Sequence, residues 1–257
     1  MENSSTLIQH QCECVAPEAD IDPLHTCLSS GGSELRSYVL RNGRMTETQK
    51  RALLDGYPLF GLVYKPGRLI QPEQLFGRKG PFIVEIGFGM GDASADIATN
   101  LPDHNILGLE VHAPGVGHLL DLVMQHKLQN LRVCRHDAMD VIETMLAPDS
   151  VDGFLIFFPD PWPKKRHHKR RLIRPSILSL LTSRLKPGGY IYFASDWEEY
   201  AESALEMFLA EPGLQNQFAR WAERREWRPV TKFEQRAITE GRPIREIYFV
   251  KKSSNQE

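Results

Sequence analysis

The chain has 257 residues, 41% of them apolar and 25% charged, and its 31 Lys and Arg against 33 Asp and Glu leave a formal charge of −2. Such a composition furnishes a core for one large domain or two small ones and excludes a wholly disordered chain, a collagen-like repeat and a coiled coil. An apolar run such as Phe154 to Phe158 falls far short of the ~20 residues of a membrane-spanning helix.

Residues 1–33 mix Ser, Glu, Asp, Gln, Cys and Pro without apolar periodicity, which predicts a disordered extension. Met1 to Ser5 show neither the basic start nor the apolar stretch of a secretory signal. Four cysteines, Cys12, Cys14, Cys27 and Cys134, are too few for a disulfide scaffold, so a reducing, cytoplasmic setting is expected, with no membrane. Cys12-x-Cys14 is tighter than the usual zinc pair, and His112, His118, His126 and His136 lack paired ligand spacing, so no metal is expected. Residues 34–257 read as a single domain, in which a segment at 34–80 covers the edge of a core at 81–252.

Past Gly80 the pattern sharpens. Phe82 to Ile86 predicts a buried strand, then a glycine loop and a helix to about Leu101. Asn105 to Glu110 predicts a second strand, and Pro114 opens a helix whose Val116, Leu119, Leu120, Val123 and Met124 draw one apolar stripe. Leu131 to Cys134 reads as a strand, Ala138 to Leu146 as a helix and Val151 to Phe158 as a strongly apolar strand. Ile173 to Leu185 is predicted helical, stopped by Lys186-Pro-Gly-Gly189. Tyr190 to Ala194 follows as a strand, Trp197 to Ala210 as a helix and Ile244 to Lys251 as a last strand. Such alternation means α/β architecture: a doubly wound, mostly parallel sheet, seven-stranded and covered on both faces.

The loop Glu85-Ile-Gly87-Phe-Gly89-Met-Gly91-Asp92 leaves the first core strand at its carboxyl end, where glycines let a ligand approach the backbone. The dinucleotide fingerprint G-x-G-x-x-G/A would need a small residue at position 92, where Asp92 stands instead. A carboxylate there repels a pyrophosphate seated on a helix N-terminus and leaves a phosphate-free ligand unaffected. Acid-x-Gly-x-Gly-x-Gly is similar to the S-adenosylmethionine (SAM) loop of Rossmann-like methyltransferases. Glu110 ends the second strand, about 20 residues on, where an acid meets ribose hydroxyls, and Asp137 follows the third. Each acid alone is an ordinary surface carboxylate or helix cap; three at successive strand ends form a set.

Phe157-Phe158-Pro159-Asp160-Pro161-Trp162-Pro163 follows the fourth strand, its prolines stiffening the turn that presents Asp160. Trp162 either offers a face on which a base stacks or packs inward. Next come Lys164, Lys165, Arg166, His167, His168, Lys169, Arg170 and Arg171, with no acid among them; this is a phosphate-binding patch or a solvated loop. Further on, Arg220, Arg224, Arg225 and Arg228 alternate with Glu223 and Glu226, as on a solvated helix face.

Taken jointly, Asp160-Pro-Trp-Pro-Lys-Lys-Arg-His167 with Arg170-Arg171, Arg36-Ser-Tyr-Val39, Gly43-Arg44, Glu110-Val-His112, Pro114-Gly-Val-Gly117, Ser195-Asp196 and Thr231-Lys-Phe-Glu234 resemble the bacterial tRNA (guanine-N7)-methyltransferases, from about Arg36 to Lys251. The resemblance implies a Rossmann-like SAM methyltransferase fold and methylation of N7 of guanosine 46 in the tRNA variable loop, with no obligatory protein partner. It implies that Glu85, Gly87, Gly89, Gly91, Glu110, Asp137 and Asp160 contact SAM, Asp160 also being the catalytic candidate. It implies that Lys164, Asp196, Thr231, Lys232, Phe233 and Glu234 bind substrate, and that Arg166, His167, His168, Lys169, Arg170 and Arg171 touch RNA. Two other readings stay open: a SAM-dependent enzyme acting on another RNA or a small molecule, and a non-catalytic RNA-binding protein on the same fold.

Overall fold

The computed structural model describes residues 37–38 and 44–253. The expected extension at 1–33, with Cys12, Cys14 and Cys27, and, of the motifs above, Arg36, Val39 and Gly43 lie outside them. From Glu47 onward the chain alternates helix and strand: α1 (Glu47–Phe60), α2 (Pro72–Phe76), β1 (Phe82–Ile86), α3 (Asp92–Asn100), β2 (Asn105–Leu109), α4 (Ala113–Gln125), β3 (Leu131–Cys134), α5 (Ala138–Met145) and β4 (Val151–Phe157). A 3-10 turn at Lys165–Arg170 precedes α6 (Pro175–Arg184), β5 (Leu185–Ser195), α7 (Glu198–Ala210), β6 (Leu214–Asn216), α8 (Lys232–Thr239) and β7 (Arg245–Lys251).

The strands form one sheet in the order β3-β2-β1-β4-β5-β7-β6, parallel except for β7, which runs antiparallel to both neighbours. All five residues of β1 and all five of β2 are buried, as befits parallel strands covered on both faces. Side chains alternate between two cores. Phe82, Val84 and Ile86 join residues of α5, α6 and α7, while Ile83 joins Leu53 of α1, Ile97 of α3 and Leu119 and Val123 of α4. Strand order reverses between β1 and β4, so the carboxyl ends of these two strands flank the crevice where ligands bind in such sheets.

The segment that precedes β1 runs along β3. Thr46 and Gln49 close a capping box at the start of α1, which satisfies two otherwise orphaned amides. Beyond α1, Leu62 N donates to Val133 O at 2.7 Å, and Gly61 pairs in parallel with Val133. The backbone of β3, otherwise an open edge, is thereby capped.

Two expectations are corrected. Helix α6 stops at Arg184 because Leu185 already pairs with Val151 of β4, so Lys186-Pro-Gly-Gly189 lies within β5. The Arg220–Arg228 stretch is irregular, and Arg228 is buried: its charge is neutralised by two carboxylates rather than by water. Strand β6, three residues long, is too short to carry a pattern in the sequence.

Candidate active site

The acids at the strand ends meet along one edge. Glu85 is 3% exposed, and its Oε2 is buried without a hydrogen-bond partner. Burial pushes its carboxyl up to about 7, the nearby Ser94 hydroxyl pulling it partly back and the Glu110 charge adding a smaller push upward. A carboxylate in that condition calls for a cationic or hydrogen-bond-donating partner. Directly after it, Gly87 and Gly89 hold φ of +74° and +63°, a region L-residues avoid. A Cβ on either would meet nothing within 4 Å. Space therefore stands open above the loop beside the orphaned carboxylate.

The loop's shape is imposed from β2 and α4. Glu110 Oε2 accepts from Gly89 N at 2.8 Å, while its Oε1 accepts from Val111 N at 2.7 Å and His112 N at 2.9 Å. The carboxylate thus latches the glycine loop and, with about four acceptor positions in all, keeps room for one more donor. A Cβ on Gly115 would sit 1.9 Å from Gly89 O, so α4 starts against that loop, and a Cβ on Gly117 would sit 2.5 Å from Gln49 O, so the next turn packs against α1. At the end of β3, Asp137 caps α5, accepting from Met139 N at 2.9 Å.

On the other side of the crevice, the turn after β4 is strained at both ends. Phe158 and Trp162 hold φ of +50° and +46°, each costing about 1–3 kcal/mol for a non-glycine residue. Phe158 N donates to Ala194 O at 2.8 Å, Arg171 Nε to Pro161 O at 2.9 Å, and Trp162 Nε1 to Ser37 O at 3.2 Å. These contacts hold Asp160 out, exposed, between its prolines. Trp162 is the packed alternative of the two open readings: it is buried, with His167 edge-on at 5.7 Å and the Arg170 guanidinium 5.0 Å from its ring. It offers no free face to a base.

The basic run divides in two. Lys164, which precedes the 3-10 turn, and Lys165, Arg166 and Lys169 on it are exposed, and His167, His168 and Arg170 are half-buried. Burial, then the cations of Arg166, Arg170, Lys164 and Lys169, lower the His167 pKa. Arg171 does not share that surface. It is 3% exposed, forks onto both oxygens of Glu199 and lies over the Tyr200 ring, where it supports the turn from beneath.

Thr231 to Glu234, which alone reads as a connector, is the first turn of α8. Thr231 Oγ1 accepts from Glu234 N at 3.1 Å, an N-cap. Phe233 is 66% exposed and near-parallel to Phe158, centroids 6.5 Å apart, and Lys232 Nζ lies 3.4 Å from Asp92 Oδ2. This turn therefore straps across from the Asp160 side to the glycine-loop side. Glu234 departs from its neighbours: it is buried, with both oxygens on Arg228, so it faces inward rather than toward the crevice. Asp196, after β5, is paired with Arg242. Arg228 and Glu246 complete the arrangement and carry no signal in the sequence, because neither lies in a recognisable spacing. Among the described residues, no group of three His, Cys, Asp or Glu could hold a metal ion. His136 stacks on Tyr64 at 3.7 Å with a ring nitrogen 3.1 Å from Asp140 Oδ2.

A doubly wound sheet with a glycine loop and acids at successive strand ends defines a Rossmann-like methyltransferase fold, and the fold is shared with a solved 16S rRNA methyltransferase, KamB, at a TM-score of 0.51 and 14% identity over 70% of this chain and 92% of that one. Residues 79–247 match the family described as "Putative methyltransferase". The chain is 47% identical to a tRNA (guanine-N(7)-)-methyltransferase of Paraburkholderia xenovorans (strain LB400), over 93% of this chain and 91% of that protein. It is 49% identical to one of Chromobacterium violaceum, over 85% and 96%. The chain belongs to the tRNA (guanine-N7)-methyltransferase family.

Proposed function

We infer that this protein transfers the methyl group of SAM to N7 of a guanine in tRNA, and that the target is guanosine 46 of the variable loop. The observation that carries the reading is the pairing of an open glycine loop and an orphaned buried Glu85 with a pinned, outward Asp160 on the adjacent strand end, in a chain so similar to enzymes of that name. A cytoplasmic location belongs with this reading. No helix of the described residues is long and apolar enough to cross a membrane.

The residues present fit SAM. Glu85 would hold its amino group, Glu110 a ribose hydroxyl with its remaining acceptor position, and Asp137 the adenine, while Gly87 and Gly89 would admit it to the backbone; Gly91, where a Cβ would meet Leu119 at 2.6 Å, is small because it packs on α4. When bound, SAM supplies an electrophilic methyl group on a positively charged sulfur. Guanine N7 is a bare lone pair, so no proton leaves it before attack, and alignment supplies much of the acceleration. Asp160, held by its strained turn, orients the base and stabilises the positive charge that grows on the purine. Lys164, Asp196 and the exposed part of the strap, Thr231 to Phe233, line the acceptor side. Side chains enter the deep, narrow major groove of structured RNA with difficulty, so the guanine is unstacked to present N7. Arg166, His167, His168, Lys169 and Arg170 hold the flanking phosphates.

Transfer of tritiated methyl from SAM to unmodified tRNA, followed by nucleoside identification, tests this directly. The expected product is 7-methylguanosine, lost when the variable-loop guanosine is replaced. Methylation of another nucleoside, or none, overturns the reading.

A further inference from the structure

Arg228 lies in irregular backbone between β6 and α8, yet its side chain is wholly buried. Nη1 donates to Glu234 Oε2 at 2.6 Å and Nη2 to Glu234 Oε1 at 3.1 Å, a two-pronged pair. Nη2 also donates to Glu246 Oε1 of β7 at 2.6 Å, and Nε to the Tyr192 hydroxyl of β5 at 3.3 Å. That hydroxyl donates in turn to Glu246 Oε2. The guanidinium also lies 5.5 Å from the Phe157 ring centroid and 5.9 Å from that of Phe158, at the root of the Asp160 turn.

One group therefore touches both arms of the acceptor side and the two strands beneath them. A buried cation between carboxylates is weak evidence of stability, because apolar residues of similar volume commonly do as well. What the planar fork supplies is direction: it fixes where Glu234, and with it the first turn of α8, sits above the sheet. The strap's other tether, Lys232 to Asp92, is an exposed pair, a kind that holds little. We propose that Arg228 is a positioning residue for methyl transfer, keeping the Thr231–Glu234 strap in register with the Asp160 turn through Glu234 and Glu246. The proposal rests on the function inferred above.

Two variants test it. R228K keeps a buried positive charge but cannot fork onto two carboxylates. E246Q leaves the Arg228–Glu234 pair intact and weakens its anchor. Because small misplacements of reacting groups cost up to about 100-fold, kcat at saturating tRNA is expected to fall about 10- to 100-fold in R228K and about 3- to 10-fold in E246Q. SAM affinity by calorimetry should stay within about twofold, and amides of 231–239 should exchange hydrogen faster than in the unaltered protein. Variants that lose only melting temperature, with kcat and KM within about twofold where folded, would make Arg228 merely structural and overturn the proposal. If R228K does not fold, E246Q decides by the same measures. The unaltered protein, assayed on tRNA alongside, tests the functional reading separately. Were it inactive there, unchanged exchange at 231–239 in the variants would still overturn the proposal, and faster exchange would uphold the anchoring.

Discussion

The donor side and the acceptor side of the crevice are assembled differently. On the donor side Glu85, Glu110 and Asp137 stand at or just beyond the ends of β1, β2 and β3, so local sequence and strand order suffice to bring them together. The acceptor side gathers Asp160 after β4, Asp196 after β5 and a strap at the start of α8, which returns across the crevice to Asp92. Tertiary ion pairs hold it: Arg171 with Glu199, Arg242 with Asp196, and Arg228 with Glu234 and Glu246. Backbone amides and glycines thus shape the donor half, whereas long side chains shape the acceptor half. In the function proposed above, the first would hold a small ligand and the second an RNA whose target base arrives from outside the fold.

The largest contrast is expected at Asp160. If its role is electrostatic, Asp160→Asn lowers kcat on tRNA by about 100- to 1000-fold, the scale seen when one preorganised charge-stabilising group is removed. Nearly full turnover at saturating tRNA would refute that role. A pH–rate limb that follows the Asp160 carboxylate and vanishes in the Asn variant would instead assign it as a general base.

Glu85 sharpens the comparison from the donor side. Its folded-state pKa, about 7, lies above its ordinary value of 4.5 because burial disfavours the charge. The folded protein therefore holds the proton more tightly. Stability from this group is complete below about pH 4.5 and is lost as the pH rises through 7, by about 3 kcal/mol in all. Glu85→Gln should flatten that decline in denaturant titrations of the ligand-free protein. Binding of SAM, whose amino group favours the ionised carboxylate, should release protons near pH 6, seen as a dependence of calorimetric heat on buffer ionisation enthalpy. No release would separate Glu85 from the ligand.

How far each half was legible follows from the same difference. The donor loop can be read because short apolar runs bounded by turn residues and a period-3.6 stripe place β1, α3, β2 and α4 within a residue or two of their ends, and topology does the rest. The Asp160 turn stood out through its prolines and the basic run. Its depth did not: nothing in Lys164 to Arg171 distinguishes Arg170 and Arg171, yet the second is buried on Glu199. Arg228 read as one more surface charge among Arg220, Arg224 and Arg225, because its partners Glu234 and Glu246 lie 6 and 18 residues away and only the fold brings them together. Long-range pairing of charges leaves no local period to find.

A smaller effect is expected where the acceptor surface meets RNA phosphates. Arg166→Ala with Arg170→Ala should raise KM for tRNA about 10-fold and flatten the dependence of log K on log salt by about one unit for each phosphate no longer held. Kd for SAM should not move. An unchanged salt slope would take the 3-10 turn out of the RNA interface and leave it a solvated loop.

The smallest effect is expected at Trp162, and it separates support from contact. Trp162 is packed beneath the turn, its indole N–H donating to Ser37 O at 3.2 Å. Trp162→Phe keeps an aromatic ring there and deletes the hydrogen bond, a loss of about 1 kcal/mol, read as a lower denaturation midpoint. Because the ring has no free face, KM for tRNA should stay within about twofold, whereas losing a base-stacking platform would weaken RNA binding by about 1–3 kcal/mol. The exposed Phe233 is the control: Phe233→Ala should leave stability nearly unchanged and raise KM. If Trp162→Phe raised KM as much as Phe233→Ala does, the indole would have to swing out to meet the base, and the turn that presents Asp160 would not be the fixed element its pinned ends describe.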